Sequence, residues 1–296
     1  MGWMGNIIRQ PDRLGLAALA LVYIIWGSTY LAITEAVRGA GSMPPLLLGA
    51  VRMGLASAVL YSIAAFRGEK LSLGVTGAFR AAKSGLFLWL GGNGLVIVGL
   101  TRIDSGLAAV LMATTPLWLA VLVALRRRRL PTPRTGLGLA LGLAGVIVLV
   151  GASRTGETAA SLLGVALILA AALSWAVGSM MPSPSPSPLV SGAAIMWFAA
   201  VGFAVASAAS GEPWAIPSSR ALIALGYLVV VGSAIGFVAY LVASERLPLQ
   251  LVMTHAQVNP LVAVILGAIF LGESLSPATA LAAALIVASI PLSREL

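Results

Sequence analysis

Thr114-Thr-Pro-Leu-Trp-Leu-Ala-Val-Leu-Val-Ala124 and Val258-Asn-Pro-Leu-Val-Ala-Val-Ile-Leu-Gly-Ala268 stand 144 residues apart and belong to one longer ungapped match. From Arg102 to Val146 that displacement pairs Arg102 with Arg246, Leu107 with Leu251, Pro116 with Pro260, Leu122 with Leu266, Pro133 with Pro277, Thr135 with Thr279 and Ala144 with Ala288. Leu on Leu and Ala on Ala are common coincidences in apolar helices; two prolines and an arginine in register are harder to dismiss. A looser match sets Trp26-Gly-Ser28 beside Trp175-Ala-Val-Gly-Ser179. The chain therefore reads as two related halves, 14–151 and 161–292.

Both halves are built for lipid. Of 296 residues, 59% are hydrophobic and 9% charged, where a soluble domain carries about 25% charged residues. Without water, backbone N–H and C=O groups are satisfied only in helices or closed barrels, and these apolar stretches are too long and unalternating for barrel strands. A helix crossing the hydrocarbon layer needs about 20 apolar residues. Gly, Pro and charged clusters mark out ten such stretches: Leu14 to Thr34, Pro45 to Phe66, Ser84 to Leu100, Ser105 to Leu125, Thr135 to Gly151, Ser161 to Met181, Pro188 to Ser210, Arg220 to Ala243, Pro248 to Leu271 and Pro277 to Leu292. The fold expected is thus an all-α polytopic membrane protein. Five helices per half is an odd number, which turns the second half upside down relative to the first, an inverted repeat suited to alternating access.

The net charge of +9 comes from Lys and Arg in short connections, where they set topology, so nucleic acid is not an expected partner. Arg67, Lys70, Arg80, Lys83 and the run Arg126 to Arg129 fall on the side of the N-terminus, against only Arg38, Arg102, Arg154 and Arg220 opposite. Both termini are expected in the cytoplasm, in the inner (plasma) membrane of a cell. The first apolar stretch runs past 20 residues without a clear cleavage site and is read as mature helix 1. Met181-Pro-Ser-Pro-Ser-Pro-Ser-Pro188 cannot continue a helix and reads as a short extended linker. With no cysteine, disulfide, thiol and Cys-type metal chemistry are excluded.

Tyr23-Ile-Ile-Trp-Gly-Ser-Thr-Tyr-Leu-Ala-Ile33, Pro44-Pro-Leu-Leu-Leu-Gly-Ala-Val-Arg52, Gly91-Gly-Asn-Gly94, Thr114-Thr-Pro-Leu-Trp118, Val258-Asn-Pro-Leu-Val-Ala-Val264 and Leu271-Gly-Glu273 follow one another in an order and spacing that resembles the EamA-type branch of the drug/metabolite transporter superfamily. The resemblance covers almost the whole chain. It implies a 5+5 fold and export of amino acids, related metabolites or drugs, with aromatic amino-acid exporters similar. The chain departs from the family pattern at Arg126 to Arg129, where a Gly-Glu turn is frequent, and at His255 and Gln257, where many members carry tyrosine.

The residues expected to bind substrate are Trp26, Tyr30, Asn93, Trp118, Trp175, His255, Gln257 and Asn259. Aromatic rings, with Trp89, Tyr227 and Tyr240 as further candidates, would wall a cavity, although Trp and Tyr also anchor membrane interfaces. Trp26 and Trp175 are deep in their spans. His255, the single histidine, either contacts substrate and relays a proton or makes a neutral interhelical hydrogen bond. Asn93 and Asn259 either face substrate or satisfy carbonyls that Gly and Pro leave free. Gating or structural roles fall to Arg52, Pro116 and Pro260. Arg52 serves near the outer mouth or binds an anion, since a charge deep in a bilayer costs at least about 2.5 kcal/mol. The two prolines are expected to bend helices 4 and 9 at related depths.

No catalytic or metal-binding residue and no cofactor is expected. The motif Gly-x-x-x-x-Gly-Lys-Ser/Thr is absent, and Glu35, Asp104 and Glu273 fall near span ends, leaving a single histidine without a deep carboxylate. Expected partners are a small-molecule substrate and membrane lipids. Gly138-Leu-Ala-Leu-Gly142 is read as internal helix packing, so the chain is expected to be a monomer. Transport by facilitated diffusion or exchange, with any proton coupling through His255, is the expected energetics. The alternative class is a non-transporting membrane protein such as a lipid-modifying enzyme or receptor.

Overall fold

The computed structural model describes residues 12–128, 132–152, 161–213, 216–266, 269–270, 272 and 277–292. Among these residues the backbone is helical and holds no strand. The helices run α1 (Arg13–Val37), α2 (Pro45–Phe66), α3 (Gly74–Gly99), α4 (Ser105–Arg127), α5 (Pro133–Ala152), α6 (Leu162–Ser179), α7 (Pro188–Ser210) and α8 (Ser219–Arg246). Then come α9, in two pieces, Leu249–Val252 and His255–Leu266, and α10 (Pro277–Leu292). Seven of them, α1 to α4 and α6 to α8, are long and apolar enough to cross a membrane. The apolar stretches found in α5 and α10, Gly136–Gly145 and Ala280–Ser289, are shorter.

Local chemistry sets the helix starts. Asp12 accepts from the Leu14 N–H at 2.9 Å, Ser187 from Val190 N–H at 3.2 Å and Ser218 from Ala221 N–H at 3.3 Å, each relieving one of the unpaired donors of a first turn. Helix α2 begins with Pro45, and the N–H groups of Leu46 and Leu47 are taken by the Glu212 carboxylate, at 2.9 and 2.8 Å, from the far end of α7. The serine-proline linker is non-helical and folded on itself: Ser183 and Ser185 both hydrogen-bond Ser191 in the first turn of α7.

Four helices, α3, α4, α8 and α9, are not regular. In α3 residues Gly85–Gly94, and in α8 residues Leu228–Ile235, wind as π-helix. In α4 the helix breaks between Met112 and Thr115. The segment expected as one ninth helix breaks at Met253-Thr254, so His255 opens the second piece rather than sitting in the middle of a helix. The proline expectation changes with it. Pro116 occupies the first turn of the piece Thr115–Arg127, where a missing N–H leaves nothing unpaired, while Pro260 lies inside His255–Leu266. The two breaks therefore stand at different distances from the two prolines.

Packing follows the repeat. Helix α2 lies along α7, and α5 along α10; α4 meets α9. Helix α1 packs on α8 and α9, and α6 packs on α3 and α4; α2 touches the π-helical part of α8, and α7 that of α3. Exchanging the first five helices for the second five maps each of these contacts onto another in the set. The close crossing of α2 and α7 depends on Gly49, where a Cβ would stand 2.5 Å from the Phe203 ring. Large apolar side chains such as Ile24, Val205 and Ile223 face outward, as a lipid-facing surface requires.

Candidate functional site

The irregular helices contribute to the wall of a cavity that opens between the two halves of the chain. Helix α1 presents Trp26, Thr29, Tyr30 and Ile33 to it, the i, i+3, i+4, i+7 spacing of one helical face. Arg52 comes from α2; Trp89, Gly92, Asn93 and Val96 from α3; Met112 and Thr115 from either side of the break in α4. The second half contributes Trp175 from α6 and His255, Ala256 and Asn259 from α9. The repeat is visible inside the cavity: Met112 and Ala256, like Thr115 and Asn259, are pairs under the 144-residue displacement.

Aromatic rings form the wall. Trp26 meets Trp175 edge to face with centroids 5.2 Å apart, Tyr240 at 5.1 Å and the His255 ring at 5.1 Å. Its indole N–H donates to the Gly232 carbonyl at 3.1 Å, which fixes the ring. Trp89 and Trp175 stand 6.1 Å apart, and the indole N–H of each is buried without a hydrogen-bond partner among the described residues. Such orphan donors are uncommon.

Arg52 is the one Lys, Arg, Asp or Glu among the described residues of the cavity lining and is 1% exposed. Its Nε–H donates to Ser233 Oγ at 2.8 Å and Nη1–H to Asn93 Oδ1 at 3.0 Å, while the guanidinium carbon lies 5.4 Å from the Trp89 ring centre. Asn93 lies in the π-helical stretch of α3 and Ser233 in that of α8. Each half thus supplies one holder, and both come from π-helix, a geometry often found at functional positions. Carboxylates are engaged elsewhere: Glu35 pairs with Arg220, Asp104 with Arg38 at 3.5 Å, and Asp12 with Arg246.

The other polar groups are fixed by the backbone. His255 Nδ1 donates to the Val252 carbonyl at 2.8 Å; since a carbonyl only accepts, Nδ1 carries the proton and Nε2 of the neutral ring is left as an acceptor. With its amide nitrogen toward α1, Asn259 donates to the carbonyls of Tyr23 at 3.2 Å and His255 at 2.9 Å. Thr29 and Thr115 return their hydroxyls to Trp26 and Met112 carbonyls in their own helices.

Of the residues read from the sequence, Trp26, Tyr30, Asn93, Trp175, His255 and Asn259 line this one cavity, and so does Arg52. Trp118 is not in the lining; it is packed against the apolar core with its indole N–H buried. Pro116 and Pro260 are not in the lining either. The Gln257 side chain lies outside the described residues. Thr29, Met112, Thr115, Gly92 and the Arg52 holder Ser233 escaped the sequence reading. Extending the repeat pairing from Asn259 to Thr115 would have found one of them.

Comparison with known proteins agrees with this architecture. A model described as the EamA-like transporter family matches twice, at residues 13–151 and 162–294. The chain is 38% identical over 282 residues to the uncharacterized inner membrane transporter YedA of Escherichia coli K12, covering 93% of this chain and 89% of that protein. It is 26% identical over 285 residues to the uncharacterized transporter YvbV of Bacillus subtilis, covering 93% and 89%. A solved crystal structure shares the fold with a TM-score of 0.65 at 22% identity, over 95% of this chain and 96% of that one.

Proposed function

The chain belongs to the EamA-like transporter family, and from that premise we propose that it exports small metabolites, aromatic or hydrophobic amino acids first among them, through the aromatic cavity. The observation that carries this reading is the joint origin of the cavity. Trp26, Arg52, Trp89 and Asn93 come from one family-matched region, Trp175, His255 and Asn259 from the other. A site shared by two repeats is the arrangement in which rocking one against the other opens it to each side in turn. Trp26, Trp89 and Trp175 offer flat apolar faces to an aromatic or branched side chain.

In this reading α5, α9 and α10 also cross the membrane, giving ten spans as two inverted sets of five. The protein works as a multi-pass monomer in the inner membrane with both termini in the cytoplasm. Tyr23, hydrogen-bonded to Thr254 at 2.5 Å, and Ser28, hydrogen-bonded to Tyr227 at 2.5 Å, cross between the halves and are the kind of contact that must exchange during such a cycle.

Counterflow in proteoliposomes tests the proposal. Vesicles loaded with unlabelled phenylalanine or tryptophan should transiently accumulate the labelled amino acid above its equilibrium level. Accumulation no greater than in protein-free vesicles would remove amino acids as substrates, and competition by other planar metabolites or drugs would then name the class instead.

A further inference from the structure

We infer that the cavity recognises its substrate by a carboxylate and that Arg52 is the group that binds it, an inference that rests on the cavity being the substrate site. A guanidinium has five N–H donors. Two are used, on the neutral oxygens of Ser233 and Asn93, and Nη2 has no hydrogen-bond partner among the described residues. No acidic side chain lines the cavity among the described residues. A cation that is buried, held in place and without a counter-ion is costly inside a membrane, and a bound anion removes that cost.

The surroundings point the same way. Trp89 and Trp175 belong to the same lining, and the indole N–H of each is buried without a partner among the described residues. Both are donors, as is the unpartnered Nη2 of Arg52, so unfilled donor groups gather on residues of one lining. A guanidinium takes a carboxylate through two parallel N–H···O bonds, and the Trp89 ring centre lies 5.4 Å from the Arg52 guanidinium carbon. Were Arg52 only a strut between helices, a carboxylate or backbone carbonyls would serve as its partners. Instead its two holders fix the Nε and Nη1 positions and leave Nη2 without a partner among the described residues, on a residue that lines the cavity.

The test is calorimetric titration of the purified protein in nanodiscs with 3-phenylpropionate, 3-phenylpropionamide and phenethylamine, which share a ring and differ in the head group. The acid should bind at least about tenfold more tightly than the amide, a difference of about 1.4 kcal/mol, and the amine more weakly still. In Arg52→Gln the acid-to-amide ratio should fall to roughly one, and Arg52→Lys should restore part of it. The wild-type ratio needs no variant, so it decides the matter even where Arg52→Gln fails to fold. Equal binding of acid and amide, weakened alike by Trp175→Ala, overturns the inference and leaves the cavity as the binding site. An acid preference untouched by both Arg52→Gln and Trp175→Ala overturns the inference and the cavity reading together, as does binding of none of the three.

Discussion

Trp26 and Trp175 meet edge to face with their ring planes at 88° and centroids 5.2 Å apart, although one lies in each family-matched region. An edge-to-face pair is worth about 0.5–1.5 kcal/mol beyond the area it buries, so the contact joins the two halves as well as walling the cavity.

Replacing either ring separates these two roles. Trp26→Phe keeps the ring but removes the donor to the Gly232 carbonyl, and should lower stability by about 1 kcal/mol in thermal unfolding. Trp175→Ala should change the order in which amino acids compete for transport while membrane insertion is kept. Unchanged competition in both variants would show that the rings only pack.

Glycines at the helix crossings give a second prediction. A Cβ on Gly85 would stand 2.6 Å from the Ile195 carbonyl oxygen and 3.1 Å from the Ala199 nitrogen, both backbone atoms that no rotamer change can move. Gly85→Ala should therefore force α3 and α7 apart and cost about 1–3 kcal/mol. Gly226→Ala, with nothing within 4 Å of the new Cβ, should leave the melting temperature unchanged or slightly raised. Equal melting temperatures for the two variants would mean that the α3–α7 contact is looser than its geometry.

Topology is tested with reporter fusions. Reporters placed after Lys70 and after Leu292 should both report cytoplasm, and one at Gly41 the opposite side. A C-terminal reporter on the outside would overturn the ten-span arrangement proposed for α1 to α10.

These predictions draw unequally on the sequence. The repeat, the helical class and the family were legible because prolines, glycines and charges punctuate apolar segments at a membrane-length spacing. Trp26, Tyr30, Trp175 and His255 were found because depth in a span can be counted along the chain. Ser233 was not, since a π-helical turn holds an extra residue and swings later side chains by about 100° from α-helical phase. The sequence reading also placed Trp118 ahead of Trp89, whereas the cavity lining holds Trp89 and not Trp118. Each sits on an apolar helix, and only the packing partner decides which of the two faces the cavity; Trp89 does so across from Trp175. The break before His255 was hidden for a similar reason, as nothing in Leu251-Val-Met-Thr254 interrupts the apolar run.

The proposal that any proton coupling runs through His255 gives a further prediction. Its Nε2 has no hydrogen-bond partner among the described residues, whereas Glu35 and Asp104, the alternative proton carriers, are already paired with Arg220 and Arg38. Counterflow without an imposed gradient should proceed in both wild type and His255→Gln, and any extra accumulation driven by a pH gradient should vanish in the variant. Strong pH-driven accumulation that survives the substitution would move the coupling to Glu35 or Asp104.

The claim that the cavity holds the substrate is tested most directly by single cysteines, because the chain has none of its own. Met112→Cys and Ala256→Cys, repeat-related positions in the cavity wall, should react with a small maleimide in proteoliposomes, and a transported amino acid should slow that reaction several-fold. Lys70→Cys, on an exposed connection, should react at the same rate with and without it. Protection at both cavity positions and none at Lys70 is the predicted result; labelling of Met112→Cys and Ala256→Cys that a transported substrate leaves unchanged would contradict the account.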